Sequence, residues 1–274
     1  MAEEITYKRS RGRPRSVSGD GQGATVLALD RGLMLLSALA RNDRNTLTEL
    51  ALQVGMPPST AHRLLVTLQK HGLVEFDEAT QDWMVGVEAF RIGSSFVQRT
   101  NLVDAGRKVM RSLMEETGET ANLAIADDGD VVFVNQIETH NPIRAFFGPG
   151  TRSPMHASGI GKALLAQMPR KDVEAVLQKK GLSGFTANTI TSPDALFRDL
   201  EKTRERGWSF DDEERQPGMR CIAAPIFNAY GEAIAGISIS GPSVRFPDHV
   251  IDELGPKVRR AAAEVTQLLG GSRN

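Results

Sequence analysis

The sequence predicts an α+β fold: a small helical unit with a two-stranded hairpin, a connecting helix, and a larger domain built on an antiparallel sheet. Three observations predict it. Residues 46–71 carry two short helical patterns around a glycine–proline turn, and two short strand patterns follow directly. Strand patterns at 121–126 and 131–137, and again at 220–227 and 233–240, flank turn-rich tetrapeptides. Helical patterns are grouped between and after those pairs, which is the α+β arrangement, with the sheet expected to be covered on one side.

Residues 1–23 are polar and Gly-rich, the composition of a disordered tail. Within them, Arg11-Gly12-Arg13-Pro14 has the form of an AT-hook, which lays arginines along a narrow A·T-rich minor groove. The plainer reading of Arg11 and Arg13 is a basic tail that touches phosphate without sequence preference. Residues 24–41 form an amphipathic helix through Leu29, Leu33, Leu36 and Leu39.

The next helix starts near Thr48, with Leu50, Ala51 and Val54 on one face. Gly55 can take the left-handed backbone that ends a helix, and Met56 plugs the turn. Pro57, Pro58 and Ser59 suit a second helix start, the prolines because a missing N–H costs little there and Ser59 as a cap. Ala61, Leu64, Leu65 and Leu68 then face inward, leaving Ser59, Thr60, His62 and Arg63 outward on the first turns. That geometry is a helix-turn-helix, whose second helix enters the DNA major groove by its N-terminal end. Arg63 can read guanine bidentately, and Ser59 and Thr60 can hold phosphate or base. Leu73–Phe76 and Trp83–Val85 read as a hairpin, completing a winged helix. Asp77, Glu78 and Asp82 would repel phosphate, so this wing is expected to contribute little to DNA binding.

Residues 87–100 form a linker helix whose Phe90, Gly93, Phe96 and Val97 share one side, a candidate dimer surface. The domain boundaries expected are 1–23 for the tail, 24–86 for the winged helix, 87–101 for the linker and 102–274 for the second domain. That domain opens with a helix at 102–117 closed by Gly118. Strands follow at 121–126, 131–137 and 143–147, then helices at 157–168, 170–180 and 193–206. Strands at 220–227 and 233–240 and a helix at 248–269 complete it.

Composition narrows the function. The formal net charge of −1 gives no global basic signature, so nucleic-acid binding must rest on local charge. Residues 58–71 supply it, with Arg63 and Lys70 and no acid. The single cysteine, Cys221, rules out an internal disulfide and fits a reducing cytoplasm. No apolar run nears the roughly 18 residues that span a membrane, and the N-terminus lacks the apolar core of a signal peptide. The five histidines show no paired ligand spacing, so no metal site is expected.

Three features of the second domain converge on a small-molecule pocket. His156-Ala157-Ser158-Gly159-Ile160-Gly161-Lys162 precedes an apolar helix, where glycines allow close approach and helix-start N–H groups favour an anion. It lacks the pattern of a Walker motif, and tight helix–sheet packing explains its glycines equally well. Alternation puts Ser238 and Ser240 on one strand face, and a four-residue turn at 228–231 would set Cys221 opposite Ser238. The plainer alternative is a solvated serine face. The acidic run Asp211-Asp212-Glu213-Glu214 is ordinarily solvated, although one carboxylate could wall the pocket.

Over roughly residues 24–270 the chain resembles the IclR family of bacterial transcription regulators. The resemblance rests on Arg31-Gly32-Leu33, Leu47-Thr48-Glu49-Leu50-Ala51, Pro58-Ser59-Thr60-Ala61-His62-Arg63-Leu64-Leu65, Gly86-Val87, Pro154-Met155 through Lys162-Ala163, Arg206-Gly207-Trp208 through Glu214, and Arg220-Cys221-Ile222-Ala223-Ala224-Pro225-Ile226. It implies a GAF-like effector domain behind the winged helix, and dimers or tetramers on pseudo-palindromic double-stranded operators. DNA contact by Thr48, Ser59, Thr60, His62 and Arg63 follows from it.

Within the family the resemblance is to the glyoxylate-sensing subgroup that governs allantoin use and the β-hydroxyaspartate cycle. It implies that the amides of Gly159 and Ile160 hold the effector carboxylate. Asp211, Cys221, Ser238 and Ser240 would bond either end of the effector, and Met155 and Met219 would limit the volume. The chain departs from that subgroup at Ile160 and Met219. Because Asp211 would repel a carboxylate, its expected place is at the aldehyde or its hydrate. The resemblance thus implies glyoxylate, or another small carboxylate such as pyruvate, as effector, and no cofactor is expected. The competing reading is an enzyme with a DNA-binding head, Cys221 the nucleophile and His156 the base. A cysteine between apolar strand residues is more often buried and inert, so the expectation is a regulator and not an enzyme.

Overall fold

The computed structural model describes residues 25–42 and 44–272, and for residues 96–100 the backbone only. The tail carrying Arg11 and Arg13 lies outside the described residues. The chain divides into two compact units, up to Gly93 and from Ser94 onward, so the division falls inside the linker helix.

The first unit packs α1 (Leu27–Leu39), α2 (Leu47–Gln53) and α3 (Pro58–Lys70) around Leu35, Leu39, Leu50, Ala51, Ala61 and Leu65, all buried. Helix α2 begins at a capping box: Thr46 Oγ1 accepts from Glu49 N at 3.4 Å, and Glu49 Oε2 accepts from Thr46 N at 2.8 Å. Its start is thus set by Thr46, just ahead of the expected Thr48. Gly55 takes φ +64° in the turn, and Met56 is buried below it. The cap of α3 is Pro57, with no side-chain bond. Its carbonyl accepts from Thr60 N and Ala61 N, and the hydroxyl of Ser59 plays no capping part.

The wing is β2 (Val74–Asp77) and β3 (Asp82–Val85), with Val74 and Trp83 turned into the core. A strand the sequence pattern did not show, β1 (Asn45–Thr46), pairs with β3, giving the order β1-β3-β2. Two residues are too few for alternation to register. Helix α4 (Val87–Thr100) follows.

The second unit opens with α5 (Leu102–Thr117), which Gly118 ends at φ +70°. Its sheet has six antiparallel strands in the order β6-β5-β4-β9-β8-β7. They are β4 (Thr120–Asp127), β5 (Asp130–Ile137), β6 (Arg152–Pro154), β7 (Ser209–Asp212), β8 (Met219–Phe227) and β9 (Ala233–Pro242). Two expectations are corrected here. Residues 143–147 are not a strand, and Ile143 and Phe146 are exposed; the edge position belongs to β6, beyond Pro149-Gly150. The acidic run is not a solvated loop either, because Ser209–Asp212 is the opposite edge strand.

The sheet is covered on both faces, not one. Leu123, Ile222, Ile237 and Ile239 pack against α5 and α9 (Asp248–Leu268). The other face carries α6 (Gly159–Leu165), with α7 (Arg170–Lys180) and α8 (Pro193–Arg206) behind it. One-sided cover was expected from the grouping of helices between and after the strand pairs; the alternative of a solvated serine face fails as well, since Ser238 and Ser240 are each only 1 % exposed. They are buried polar groups beneath α6, and such groups need partners.

Candidate functional site

On α3, Ser59, His62 and Arg63 are exposed, and Thr60 is half-buried. Thr48 is exposed on α2. His62 meets Trp83 edge-on at 6.3 Å, which fixes the imidazole at the junction of α3 and the wing. Arg63 takes part in no ion pair among the described residues, so its guanidinium is available to an outside acceptor. The wing acids are partly answered from within: Arg44 Nη1 lies 3.1 Å from Asp77 and 3.8 Å from Asp82. The amide of Ala79, then Arg44, holds the Asp77 carboxyl below its ordinary range. Sequence reading missed Arg44 because it stands more than thirty residues from its partners.

The second site lies where α6 begins. Ser158 caps that helix, accepting from Gly161 N at 3.4 Å. Ser209 Oγ donates to Gly159 O at 2.6 Å, tying the helix start to β7. The approach is so close that a Cβ on Gly159 would sit 2.7 Å from Cys221 Sγ. A cavity opens between this helix start and the sheet. The space open to the centre of a water-sized sphere is about 20 Å³. Gly159, Ile160, Asp211, Met219, Cys221, Ser238 and Ser240 all line it, as the sequence led us to expect. Met155 is not among its walls. The 3-10 turn Met155–Ala157 packs it, 2 % exposed, into the core with Ile160 and Leu164. Phe133 and Phe147, stacked at 4.7 Å, and Arg215 and Gln216 also line the cavity and were missed.

Register brings these groups together differently from the expected hairpin. Cys221 faces Ser240, and Ser238 faces Ala223, because the turn spans five residues, 228–232, and the irregularity at Ile226/Phe227 adds one more. The shift is two residues, so the thiol and both hydroxyls still share a face. Asp211 is the partner of Cys221 on the other side. Burial, then the charge of Asp211, pushes the half-buried Cys221 thiol up to about 12. Such a thiol stays protonated and is a poor nucleophile at neutral pH. His156 Nε2 is bonded to Ser183 O at 3.0 Å, and its ring stacks on Phe185.

Asp211 is 8 % exposed, and burial lifts its carboxyl to about 6. Its Oδ1 accepts from Glu214 N at 2.9 Å. Behind it lies Lys162, fully buried, donating to Phe210 O and Glu214 and 3.1 Å from Asp199. Burial opposes the charge of Lys162 most strongly, yet Glu214 and Asp199 outweigh it and hold the ammonium above the usual lysine range. No group of three or more metal-ligating side chains gathers among the described residues, and no described helix is long and apolar enough to cross a membrane.

A helix-turn-helix on one unit and, on the other, a small cavity whose mainly apolar walls carry two serines, a thiol and a carboxyl are the features of a DNA-binding regulator with an effector domain. Comparison with known proteins agrees. Residues 28–78 match the IclR helix-turn-helix domain, and residues 94–267 match the family described as bacterial transcriptional regulator IclR, C-terminal. The chain belongs to the IclR family, whose members are transcription regulators rather than enzymes. It is 52 % identical over 262 residues to the HTH-type transcriptional regulator BhcR of Paracoccus denitrificans, 94 % of each chain. It is 44 % identical over 276 residues to the transcriptional repressor IclR of Escherichia coli, the whole of both. The crystal structure of Thermotoga maritima IclR covers 89 % of this chain and 99 % of its own, with a TM-score of 0.75 at 30 % identity.

Proposed function

We propose that the regulator senses glyoxylate, or a 2-oxo acid close to it in size, and controls genes of two-carbon metabolism. The observation that carries this reading is the cavity: it is very small, and its walls offer hydroxyls, a thiol and helix-start amides. A space of about 20 Å³ holds little more than one water-sized sphere. A ligand of a few heavy atoms can be accommodated by yielding of the exposed Gln216 and half-buried Met219 at the rim. A two-carbon anion has almost no apolar area, so its affinity must come from directed, charge-assisted hydrogen bonds, which these walls can give. The first-turn amides of Gly159 and Ile160 precede the first intrahelical donor, Lys162 N to Ser158 O, and so can face a carboxylate.

In this reading the protein acts in the cytoplasm as a homodimer or homotetramer on a pseudo-palindromic operator. Val87 and Phe90, more than 70 % exposed on α4, supply apolar surface for self-association. Glyoxylate alters promoter binding by binding one state of the assembly more tightly than the other. Calorimetric titration with glyoxylate, pyruvate, glycolate and oxalate tests the proposal. Tightest binding is expected for glyoxylate, and the absence of heat with all four refutes it.

A further inference from the structure

We infer that Asn122, clamped by Gln136, is a positioning residue that fixes Ser238 and Ser240 as hydrogen-bond donors and so makes the cavity select an anion. The inference rests on the effector reading above and assigns a role to two residues outside the cavity wall. Asn122 is fully buried on β4, directly opposite Ser238. Its Nδ2 donates to Ser238 Oγ at 3.4 Å and to Ser240 Oγ at 3.2 Å. The direction of the amide is set one strand further out: Gln136, opposite Asn122 on β5, donates through Nε2 to Asn122 Oδ1 at 2.8 Å.

A hydroxyl has one proton to give and lone pairs to receive. Each serine oxygen already receives from Asn122, so each O–H is left to point away from β4. Both serines line the cavity, where an anion wants donors. A reversed amide would take both protons for itself and present lone pairs to the cavity, a surface that repels a carboxylate. The chain Gln136–Asn122–Ser238/Ser240 therefore decides the sign of charge the cavity accepts, although neither amide lines it.

Asn122→Asp tests this in the full-length chain. The carboxylate is the same shape and can still receive from Gln136, but it accepts from the serines and turns their protons inward. Glyoxylate binding by calorimetry should weaken at least about tenfold, the scale of one lost charge-assisted hydrogen bond, with ligand-free operator binding unchanged. The deciding readout is a double-mutant cycle. Removing both hydroxyls by Ser238→Ala/Ser240→Ala should cost a similar factor, and adding Asn122→Asp to that variant should cost little more. Losses that multiply would show that the new charge or damaged packing, and not the turned hydroxyls, weakened binding, and would overturn the inference. Should Asn122→Asp fail to fold, Gln136→Leu, at a half-buried position, frees the amide to turn and should weaken glyoxylate severalfold. Unchanged affinity in that variant overturns the inference while leaving glyoxylate sensing intact. A wild-type protein that binds no glyoxylate removes the reading beneath it instead.

Discussion

If Asp211 meets an anionic effector inside a buried cavity, effector binding should depend on pH in a defined way. Two negative charges in a space with so little water repel strongly. Asp211 Oδ1 is already occupied by the Glu214 amide, which leaves Oδ2 to carry a proton toward the ligand. We therefore expect glyoxylate to bind the protonated form. With the carboxyl at about 6, roughly nine-tenths of molecules are competent at pH 5, about one-tenth at pH 7 and about one-hundredth at pH 8. The apparent Kd should rise about tenfold between pH 5 and 7, and about tenfold again by pH 8.

Calorimetry in two buffers of different ionisation enthalpy should register uptake of close to one proton per glyoxylate at pH 7–8. Glu214, lifted by burial to about 7, titrates in the same window, and Asp211→Asn separates the two. That variant carries a permanent amide proton, so it should bind with little pH dependence and at least as tightly as wild type at pH 8. Stability gives a second reading with its own sign. Asp211 ionises near 3.8 in the unfolded chain and about 6 in the folded one, so the folded state binds the extra proton. Its charge then leaves the fold unaffected below about pH 4 and destabilises it as pH rises through 6, by at most roughly 3 kcal/mol. Asp211→Asn should melt several degrees higher at pH 7 and unchanged at pH 4. An affinity constant from pH 5 to 8, or loss of binding in Asp211→Asn at every pH, would refute the reasoning, since either means the ionised carboxylate is tolerated or needed.

The remaining expectations concern the two sites separately. Arg63→Ala should weaken operator binding by about 1–3 kcal/mol and relax specificity at one position, read by gel shift across operator variants; equal affinity would remove Arg63 from the interface. Gly159→Ala places a methyl group 2.7 Å from Cys221 Sγ, so it should abolish the response to effector while ligand-free DNA binding survives. Retained response would mean the effector binds elsewhere. Arg215 lines the cavity mouth with its guanidinium 4.0 Å over the Phe185 ring and no ion pair among the described residues. Arg215→Ala should slow glyoxylate association in stopped-flow measurements, more so at low salt; an unchanged rate would assign it to the surface alone.

Much of this architecture was legible because periodicity and punctuation agree. Gly55, Pro58 and the apolar spacing of α3 mark the helix-turn-helix, and Gly118 marks the end of α5. What escaped was set by long-range pairing. Strand β1 has two residues, and β6 has three; neither is long enough to alternate. Residues 143–147 have strand-like composition, yet they have no partner strand, and β-propensity expresses such partnership rather than a backbone preference. A β8–β9 turn one residue longer than expected and the one-residue irregularity at Ile226/Phe227 together moved Cys221 from Ser238 to Ser240, a shift of two that keeps the face, so these side chains stay together despite an error in register.

The cavity residues legible from the sequence are those that can touch a ligand; the ones that hold them were not. Lys162 shows why. In the sequence it ends a glycine-rich stretch before a helix, where a lysine ordinarily reaches solvent. In the fold it is fully buried and reaches the segment 210–214 and helix α8 at once. An ammonium can be buried only against carboxylates that compensate its desolvation, and removing one partner of such a group costs about 3–5 kcal/mol. Glu214 and Asp199 supply that compensation, which pins the strand bearing Asp211 against the helix whose first turn faces the cavity. The same arrangement leaves Asp211 without a counter-ion of its own, since the nearest cation is already committed to two other acids. Its raised proton affinity thus follows from the way the cavity walls are joined, and an anionic effector enters a site already disposed to take up a proton.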